Sequence, residues 1–246
     1  MDKPLEIIYL DDYFIAVNKP PGLLVHRSPI DRKEKRFALQ MVRNLVNRHV
    51  YPVHRLDRPT SGVLLFALSP EMLKQTAALF QAGLVTKKYL AVVRGYIPEK
   101  GTIIHPVKEI RDRFIERKDR QPTAPPGKKP DAVTGYVRLA TVELPVSVDK
   151  YLATRYSLAA LYPETGRRHQ LRQHMKHISH PIIGDTKYGK DVHNKFFARE
   201  FNCHGLLLSA VELRFTHPVT GKTVTIQAAP HPDFVLILNR FNWNIS

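Results

Sequence analysis

One carboxylate lies among two arginines and a histidine in the segment HRLDRPTSG, residues 54–62. The apolar run GVLLFAL begins at the glycine of this segment and is typical of a buried strand. A loop beside a rigid strand is a common position for functional groups. Because cations favour the charged form of a neighbouring carboxylate, Asp57 is a candidate nucleophile or base. The alternative is a turn residue that caps Thr60 or Ser61 through local hydrogen bonds.

A second basic cluster, GRRHQLRQHMK, covers residues 166–176. On a helix, Arg168, Arg172 and Lys176 would form one stripe beside an apolar stripe that faces the core. The apolar stripe consists of Leu171, Met175 and Ile178. We therefore expect Arg172 at the boundary of the core, where it can reach a buried anion or a phosphate. The alternative is a solvated basic face, which is the ordinary role of such a helix.

Four histidines, His169, His174, His177 and His180, follow closely in the same region. Only His174 and His177 share a helical face, and no carboxylate lies within the helix to complete a set of ligands. No metal site is therefore expected, and contacts to a binding partner or hydrogen bonds within the fold are the preferred roles.

Tyr89 lies in the segment KKYLAVVRG, whose alternation is typical of a strand. Its side chain is expected to point the same way as Ala91 and Val93, toward the core or a cleft. The pattern by itself favours core packing over function.

The charge of the chain indicates a polyanionic partner. Lys and Arg number 38 against 22 Asp and Glu, which gives a formal charge of +16. A basic protein without such a partner is the alternative, because net charge governs association rather than fold. No apolar run reaches the roughly 20 residues that span a bilayer. A lone cysteine, Cys203, excludes an internal disulfide, and without a signal peptide a cytoplasmic protein is expected.

Motifs for the common cofactors are absent from the sequence. It contains no glycine-rich phosphate loop, no dinucleotide fingerprint and no nucleophile elbow. We therefore expect chemistry that side chains perform without a cofactor.

The elements that must position these residues alternate between strands and helices. Strands are predicted on both sides of Asp11-Asp12, at 62–68, 86–96, 133–146 and 154–162, and in a hairpin that turns at Thr220-Gly221. Helices are predicted at 36–48, 70–80, 166–179 and 231–240. The proline-rich segment 119–131 predicts an exposed loop inserted within one domain. This mixture predicts an α+β fold with a mixed, largely antiparallel sheet and flanking helices.

Four motifs of the chain resemble those of the RluA family of pseudouridine synthases. They are, in order, NKPPGLLVH, HRLDRPTSG, KKYLAVVRG and TGRRHQLRQH with HPIIGDTKYG. The resemblance implies a pseudouridine synthase fold with a central catalytic cleft, no cofactor, and Asp57 as the catalytic carboxylate. It also implies that Arg172 pairs with Asp57 and that Tyr89 packs against the uracil. Arg55 would fill the space that a flipped base leaves.

The same resemblance implies an RNA partner held by basic side chains. The RNA-binding candidates are His54, Arg55, Arg58, Lys128, Lys129, Arg167, Arg168 and Lys176. Within the family, the motifs are most similar to those of members that modify transfer RNA, which implies uridine 65 in the T-stem as the target. Ribosomal RNA is the alternative substrate, and an inactive RNA-binding protein is the alternative function. We expect residues 1–246 to form one catalytic domain without an N-terminal S4 domain, and a monomer without a protein partner.

Overall fold

A single sheet organises the computed structural model, which describes residues 4–27, 34–108 and 131–244. Within these ranges the strand order is β1-β2-β4-β9-β5-β8-β7-β6, with β10 paired to β9 and β3 paired to β4. The strands are β1 (Glu6–Leu10), β2 (Phe14–Lys19), β3 (Tyr51–Pro52), β4 (Ser61–Ala67), β5 (Thr86–Arg94), β6 (Lys100–His105), β7 (Ala132–Leu144), β8 (Thr154–Pro163), β9 (Leu208–Thr216) and β10 (Thr223–Gln227). The helices are α1 (Ala38–Val46), α2 (Pro70–Gln81), α3 (Gln170–His177), α4 (Asp191–Phe201) and α5 (Pro232–Arg240).

Paired strands run antiparallel in the described part of the chain, except where β4 meets β9. That parallel seam consists there of two residue pairs, Ser61 with Ser209 and Gly62 with Ala210. Gly62 has a φ of +108°, and a β-carbon at this position would lie 2.0 Å from the carbonyl oxygen of Ala210. Glycine is therefore required where the two strands meet. The predicted α+β fold with a mixed, largely antiparallel sheet is confirmed.

Alternation along β5 divides its side chains between two faces of the sheet. Leu90 and Val92 pack into a core with residues of α4 and α5, and we call this side the α4 face. Ala91 and Val93 pack into a second core with residues of α3, and we call this side the α3 face. Helices therefore cover both faces of the central strands, which bury apolar side chains on each side.

Helices α1 and α2 cover opposite faces of the other half of the sheet. Val42 of α1 packs against Leu64 and Phe66, whereas Met72 of α2 packs with Val63 and Leu65. Every residue of β4 is buried, as its continuous apolar sequence predicted. The strand is thereby fixed on both sides, and the loop that precedes it has a rigid base.

Helix α3 is shorter than the sequence predicted, because the chain enters it through a residue in left-handed conformation. His169 has a φ of 58° and cannot continue a right-handed helix. Arg168 therefore lies before the helix, and the predicted stripe of Arg168, Arg172 and Lys176 is wrong. Arg172 is buried and Lys176 is exposed. The apolar stripe is confirmed, with Leu171 and Met175 buried and Ile178 packed beside them.

Three elements, β3, β6 and α4, were not predicted from the sequence. The other predicted strands and helices are present, with bounds that differ by a few residues. Residues 119–130 of the proline-rich segment, with Lys128 and Lys129, lie outside the described residues, and their predicted roles stay predictions. No helix in the described ranges has the length and apolar character needed to cross a membrane.

Candidate active site

Three of the segments singled out from the sequence meet in one cleft of about 240 Å³. The HRLDRPTSG loop forms one wall, and the turn before α3 together with the start of that helix forms another. Tyr89, from the start of β5, contributes to the same cleft. The cleft therefore brings together three candidate residues that are distant in the sequence, Asp57, Tyr89 and Arg172.

Asp57 lies in the loop between β3 and β4, with only 14% of its side chain exposed. Its backbone carbonyl accepts a hydrogen bond from the Thr60 N–H at 3.0 Å, which closes the turn. Its carboxylate Oδ2 accepts a hydrogen bond from Arg172 Nη1 at 3.3 Å. The described contacts therefore direct the carboxylate toward the cleft and Arg172, and not toward a local cap on Thr60 or Ser61.

Arg172 is held in place by a second carboxylate. Its Nε and Nη2 donate to the two oxygens of Asp185 at 2.7 and 2.8 Å. Asp185 also accepts the backbone N–H groups of Lys187 and Tyr188, both at 2.9 Å. Burial acts to raise the pKa of Asp185, but the hydrogen bonds and charge of Arg172 outweigh it and bring the pKa below its ordinary value. The guanidinium is therefore fixed by Asp185 and presents its remaining nitrogen to Asp57.

The sequence predicted that Arg172 reaches a buried anion, and the structure shows two carboxylates in contact with it, Asp185 and Asp57. The sequence analysis gave Asp185 no role in the site. The one signal was its place in HPIIGDTKYG, directly after the motif that contains Arg172.

His169 and Tyr188 form a further layer behind Asp57. The Nε2 of His169 lies 3.8 Å from Asp57 Oδ1, and its Nδ1 is hydrogen-bonded to the Tyr188 hydroxyl at 3.1 Å. Burial is the main cause that lowers the pKa of His169; the Asp57 charge opposes it and Arg172 adds to it. The Tyr188 ring lies 5.2 Å from the Arg172 guanidinium in a cation–π contact. These contacts restrict the ring of His169 next to the carboxylate.

Tyr89 is placed in the cleft by the alternation of β5. Its ring packs against both neighbouring apolar cores, and its hydroxyl makes no hydrogen bond within the described residues. Burial, and secondarily the charge of Asp57, raise the pKa of Tyr89 above its ordinary value. The phenol is therefore protonated at neutral pH and is available as a hydrogen-bond donor.

Lys19, in the NKPPG segment, ties two loops together beneath the site. Its fully buried Nζ donates to the carbonyls of Pro20 and Leu23 at 2.9 Å and of Arg58 at 3.1 Å. Burial lowers the pKa of Lys19 to about 7. The side chain of Arg58 pairs with Glu34 at 3.1 Å, so this RNA-binding candidate lies against the NKPPG side and does not line the cleft.

His54 lines the cleft but is occupied within the protein. Its Nε2 accepts a hydrogen bond from the Leu65 N–H at 3.1 Å, and its ring stacks on Phe80 at 5.6 Å. Burial lowers the pKa of His54 to about 4, so the ring is neutral at physiological pH. These contacts position the start of the HRLDRPTSG loop.

The remaining described basic candidates lie on or beside the cleft. Arg55, Arg167 and Arg168 line it, and Lys176 is exposed on α3. Lys87, which the sequence analysis did not select, also lines the cleft and donates to the carbonyl of Glu164 at 3.3 Å. A basic rim around one carboxylate suits a polyanionic ligand.

The histidines of α3 make contacts within the protein. His105 and His177 stack at 3.6 Å, and His174 Nε2 is hydrogen-bonded to the His105 carbonyl at 3.0 Å. Among the described residues, no group of three or more His, Cys, Asp or Glu side chains could hold a metal ion.

Comparison with known proteins gives matches to one family over most of the chain. The family model for RNA pseudouridylate synthase matches residues 13–177. The chain is 51% identical over 242 residues to tRNA pseudouridine synthase C of Haemophilus ducreyi, covering 98% of each protein. It is 46% identical over 245 residues to the Vibrio parahaemolyticus protein of the same name, covering 98% of this chain and 96% of that protein. Among solved structures, human RNA Pseudouridylate Synthase Domain Containing 4 is similar with a TM-score of 0.69 and 25% identity, over 96% of this chain and 93% of that one.

Proposed function

Since this chain belongs to the RNA pseudouridylate synthase family, we propose that it isomerises uridine to pseudouridine in transfer RNA, at uridine 65 of the T-stem. The relatives that it matches over nearly its whole length are tRNA enzymes by name, which supports transfer RNA as the substrate class. The similarity of the sequence motifs to those of family members that modify transfer RNA supports uridine 65 as the target.

The observation that carries this proposal is the placement of the Asp57 carboxylate in a cleft, 3.3 Å from the Arg172 guanidinium and beside Tyr89. The isomerisation breaks the N1–C1′ bond of uridine, turns the base and joins C5 to C1′, and the proton lost from C5 is balanced by one gained at N1. It requires a carboxylate near the sugar or base and no redox step. Asp57 could attack C1′, add to C6 of uracil or remove the 2′ proton.

The neighbours of Asp57 have separate roles in this proposal. Arg172, fixed by Asp185, orients the carboxylate and balances its charge. Tyr89 packs against the flipped uracil, and its unpaired phenol is placed to take part in a later proton transfer. A cleft of about 240 Å³ suits a single base that has left its stack, as enzymes acting on bases within a helix require.

The basic rim supplies the contacts to the RNA backbone. Arg55, Arg167 and Arg168 surround the cleft, where they can meet the phosphates that flank the flipped nucleotide. Arg55 can also occupy the vacated stack. Lys176, exposed on α3, is a further candidate for a backbone contact. His54 and Arg58 are tied to protein groups and support the loop in addition to any contact with RNA.

The described strands all join one sheet, which supports one catalytic domain over residues 1–246. A cytoplasmic location follows from a transfer RNA substrate and is part of the same proposal.

An Asp57→Asn variant tests the catalytic assignment. The substitution keeps the shape of the side chain and removes its charge. We expect pseudouridine formation in a tRNA transcript to fall by more than about 10³-fold, as for loss of an essential nucleophile or base. Binding of the transcript should be largely kept, because it rests on many phosphate contacts. Asp191→Asn, at an exposed position of α4, is the control and should keep full activity. Residual activity above about one percent in Asp57→Asn would remove Asp57 as the essential group.

The substrate is tested by mapping pseudouridine in total RNA from cells with and without the gene. We expect one T-stem site to disappear from a subset of tRNAs, with ribosomal sites intact. Loss of a ribosomal site with every tRNA site retained would overturn the substrate and leave the chemistry of Asp57 standing.

A further inference from the structure

A second pocket, of about 260 Å³, lies at the opposite end of β5 from the Asp57 cleft. Its walls include Arg94, Asp149, Thr154, Arg155 and His193, and we call it the Arg94 pocket. Tyr89 and Arg94 are five residues apart on β5, or roughly 17 Å along a strand. Arg94 pairs in register with Tyr156, which belongs to the core on the α4 face. The Arg94 pocket therefore lies on the other face of the sheet from the cleft.

His193 contributes a buried donor to this pocket. Only 4% of the residue is exposed, and its Nδ1 is 2.8 Å from the Tyr156 hydroxyl. Thr154 donates its hydroxyl proton to the Tyr156 oxygen at 3.2 Å. The tyrosine proton is then directed to Nδ1 of His193, so the imidazole carries its own proton on Nε2.

The Nε2–H of His193 has no hydrogen-bond partner in the described part of the chain. Burial, with the nearby charges of Arg94 and Lys190, lowers the pKa of His193 to about 4. The ring is therefore neutral at pH 7 and has a single N–H. Buried donors are nearly always paired in folded proteins, so this group requires a partner.

Arg94 supplies a positive charge that its neighbours leave available. Its half-buried guanidinium makes no hydrogen bond or ion pair to the residues that the structure describes. Arg155 is paired with Glu143, and Lys190 is paired with Asp149. The two neighbouring cations are thus paired directly with carboxylates, whereas Arg94 interacts with Asp149 only through the longer-range charge and keeps its guanidinium N–H groups for a ligand.

We propose that the Arg94 pocket binds a small phosphate-bearing anion, with Arg94 providing the charge and His193 Nε2–H a hydrogen bond. Arginine is the side chain best suited to phosphate oxygens, and a neutral imidazole N–H adds a directed donor. The pocket is below the usual size for drug-sized ligands, which suits a phosphate group on a small molecule. Its position behind the sheet separates it from RNA held in the Asp57 cleft.

The test is a titration of the full chain with inorganic phosphate, followed by NMR of ¹⁵N-labelled histidine rings. Phosphate should shift the Nε2–H resonance of His193 at saturation. Arg94→Gln should weaken this binding by roughly tenfold or more, since a charged hydrogen bond is lost. Arg199→Gln, at an exposed arginine of α4, is the control and should bind as the wild type does. His193→Gln lacks the reporting ring, so its binding is measured by calorimetric titration with phosphate, where it should also be weaker. Arg94→Gln decides the outcome if that variant does not fold.

Because phosphate can also bind at the basic rim of the Asp57 cleft, Arg167→Gln separates the two sites. It should leave the His193 response unchanged. Binding that Arg167→Gln abolishes and Arg94→Gln does not would overturn the proposal. A tRNA transcript that shifts the same His193 resonance and displaces phosphate would identify the pocket as an RNA-backbone contact and refute the small-anion assignment. Arg94→Gln should retain pseudouridine formation, so failure here is distinct from failure of the function proposed above.

Discussion

Replacing Asp185 by Asn tests whether a buried ion pair positions the Asp57 carboxylate. Asp185 accepts two hydrogen bonds from Arg172, at 2.7 and 2.8 Å, and only 1% of its side chain is exposed. Asparagine has nearly the same shape, but it offers one oxygen and turns an N–H₂ group toward the guanidinium. Arg172 then keeps Asp57, at 3.3 Å, as its carboxylate partner among the described residues.

The expected loss of stability is large because the remaining charge stays buried. Breaking one side of a buried pair costs about 3–5 kcal/mol. The Asn oxygen still accepts one hydrogen bond from Arg172, so we expect a value near the lower end, about 3 kcal/mol. Such a change is a substantial part of the roughly 5–15 kcal/mol by which domains are stable.

The assay is urea unfolding of the wild type and the variant, compared at constant m-value. The matched control is Asp191→Asn, which breaks a Lys195–Asp191 pair with the same 2.7 Å separation but with 77% and 73% of the two side chains exposed. We expect the control to change stability by little more than the error of the measurement, because exposed pairs contribute little.

Acid provides a second readout of the same pair. The pKa of Asp185 is lowered in the folded protein, so its contribution is present above the ordinary carboxyl pKa and is lost as the pH falls through the lowered value. The difference between wild type and Asp185→Asn should therefore shrink below about pH 4. If Asp185→Asn unfolds at the same urea concentration as Asp191→Asn, the reasoning from burial is wrong.

Three further variants test neighbouring features. Tyr89→Phe keeps the ring and removes a hydroxyl that has no hydrogen-bond partner among the described residues. We therefore expect unchanged thermal stability and a loss of pseudouridine formation of at least about tenfold. Full activity would mean that Tyr89 serves only in packing. The unfolding free energy should fall as the pH drops from about 6.5 toward 4, because the unfolded chain binds protons that His54 excludes when folded. His54→Gln should flatten that slope, and an unchanged slope would contradict the neutral, buried state of the ring. Lys176→Gln should make the slope of log binding constant against log salt concentration shallower by about one unit for tRNA, whereas Lys195→Gln on α4 should leave the slope unchanged. Equal slopes in the two variants would mean that Lys176 is a solvent-exposed residue without a phosphate contact.

The sequence predicted the elements whose signal is local. The continuous apolar run of β4 predicted a buried strand, the alternation of β5 predicted a strand but not its burial on both faces, and Pro70 marks the first turn of α2. Asp57 could be selected because its basic neighbours and the adjacent strand lie within a few residues of it in the sequence. Resemblance to a family then favoured a catalytic role for Asp57 over that of a turn residue.

Features that depend on distant contacts were missed or misplaced. The start of α3 is set by the left-handed conformation of His169, whose ring is held by Tyr188 and lies beside Asp57. Asp185 belongs to the site because a loop folds it back onto Arg172, and no helical spacing relates the two residues. The parallel seam likewise joins Gly62 to a strand about 150 residues later in the chain.

That seam divides the sheet into two plates, which are joined by two backbone residue pairs and by one core of side chains from both plates. Asp57 is attached to the plate that ends in β4, whereas Arg172 and Asp185 pack with the plate that begins at β9 and β5. The bond across the strip, at 3.3 Å, is longer than the bonds of 2.7 and 2.8 Å within the second plate. A small rotation of one plate against the other would open the Asp57–Arg172 contact first and leave the Arg172–Asp185 pair closed. The Asp57–Arg172 hydrogen bond is thus a contact between the two plates, and its geometry depends on the angle between them.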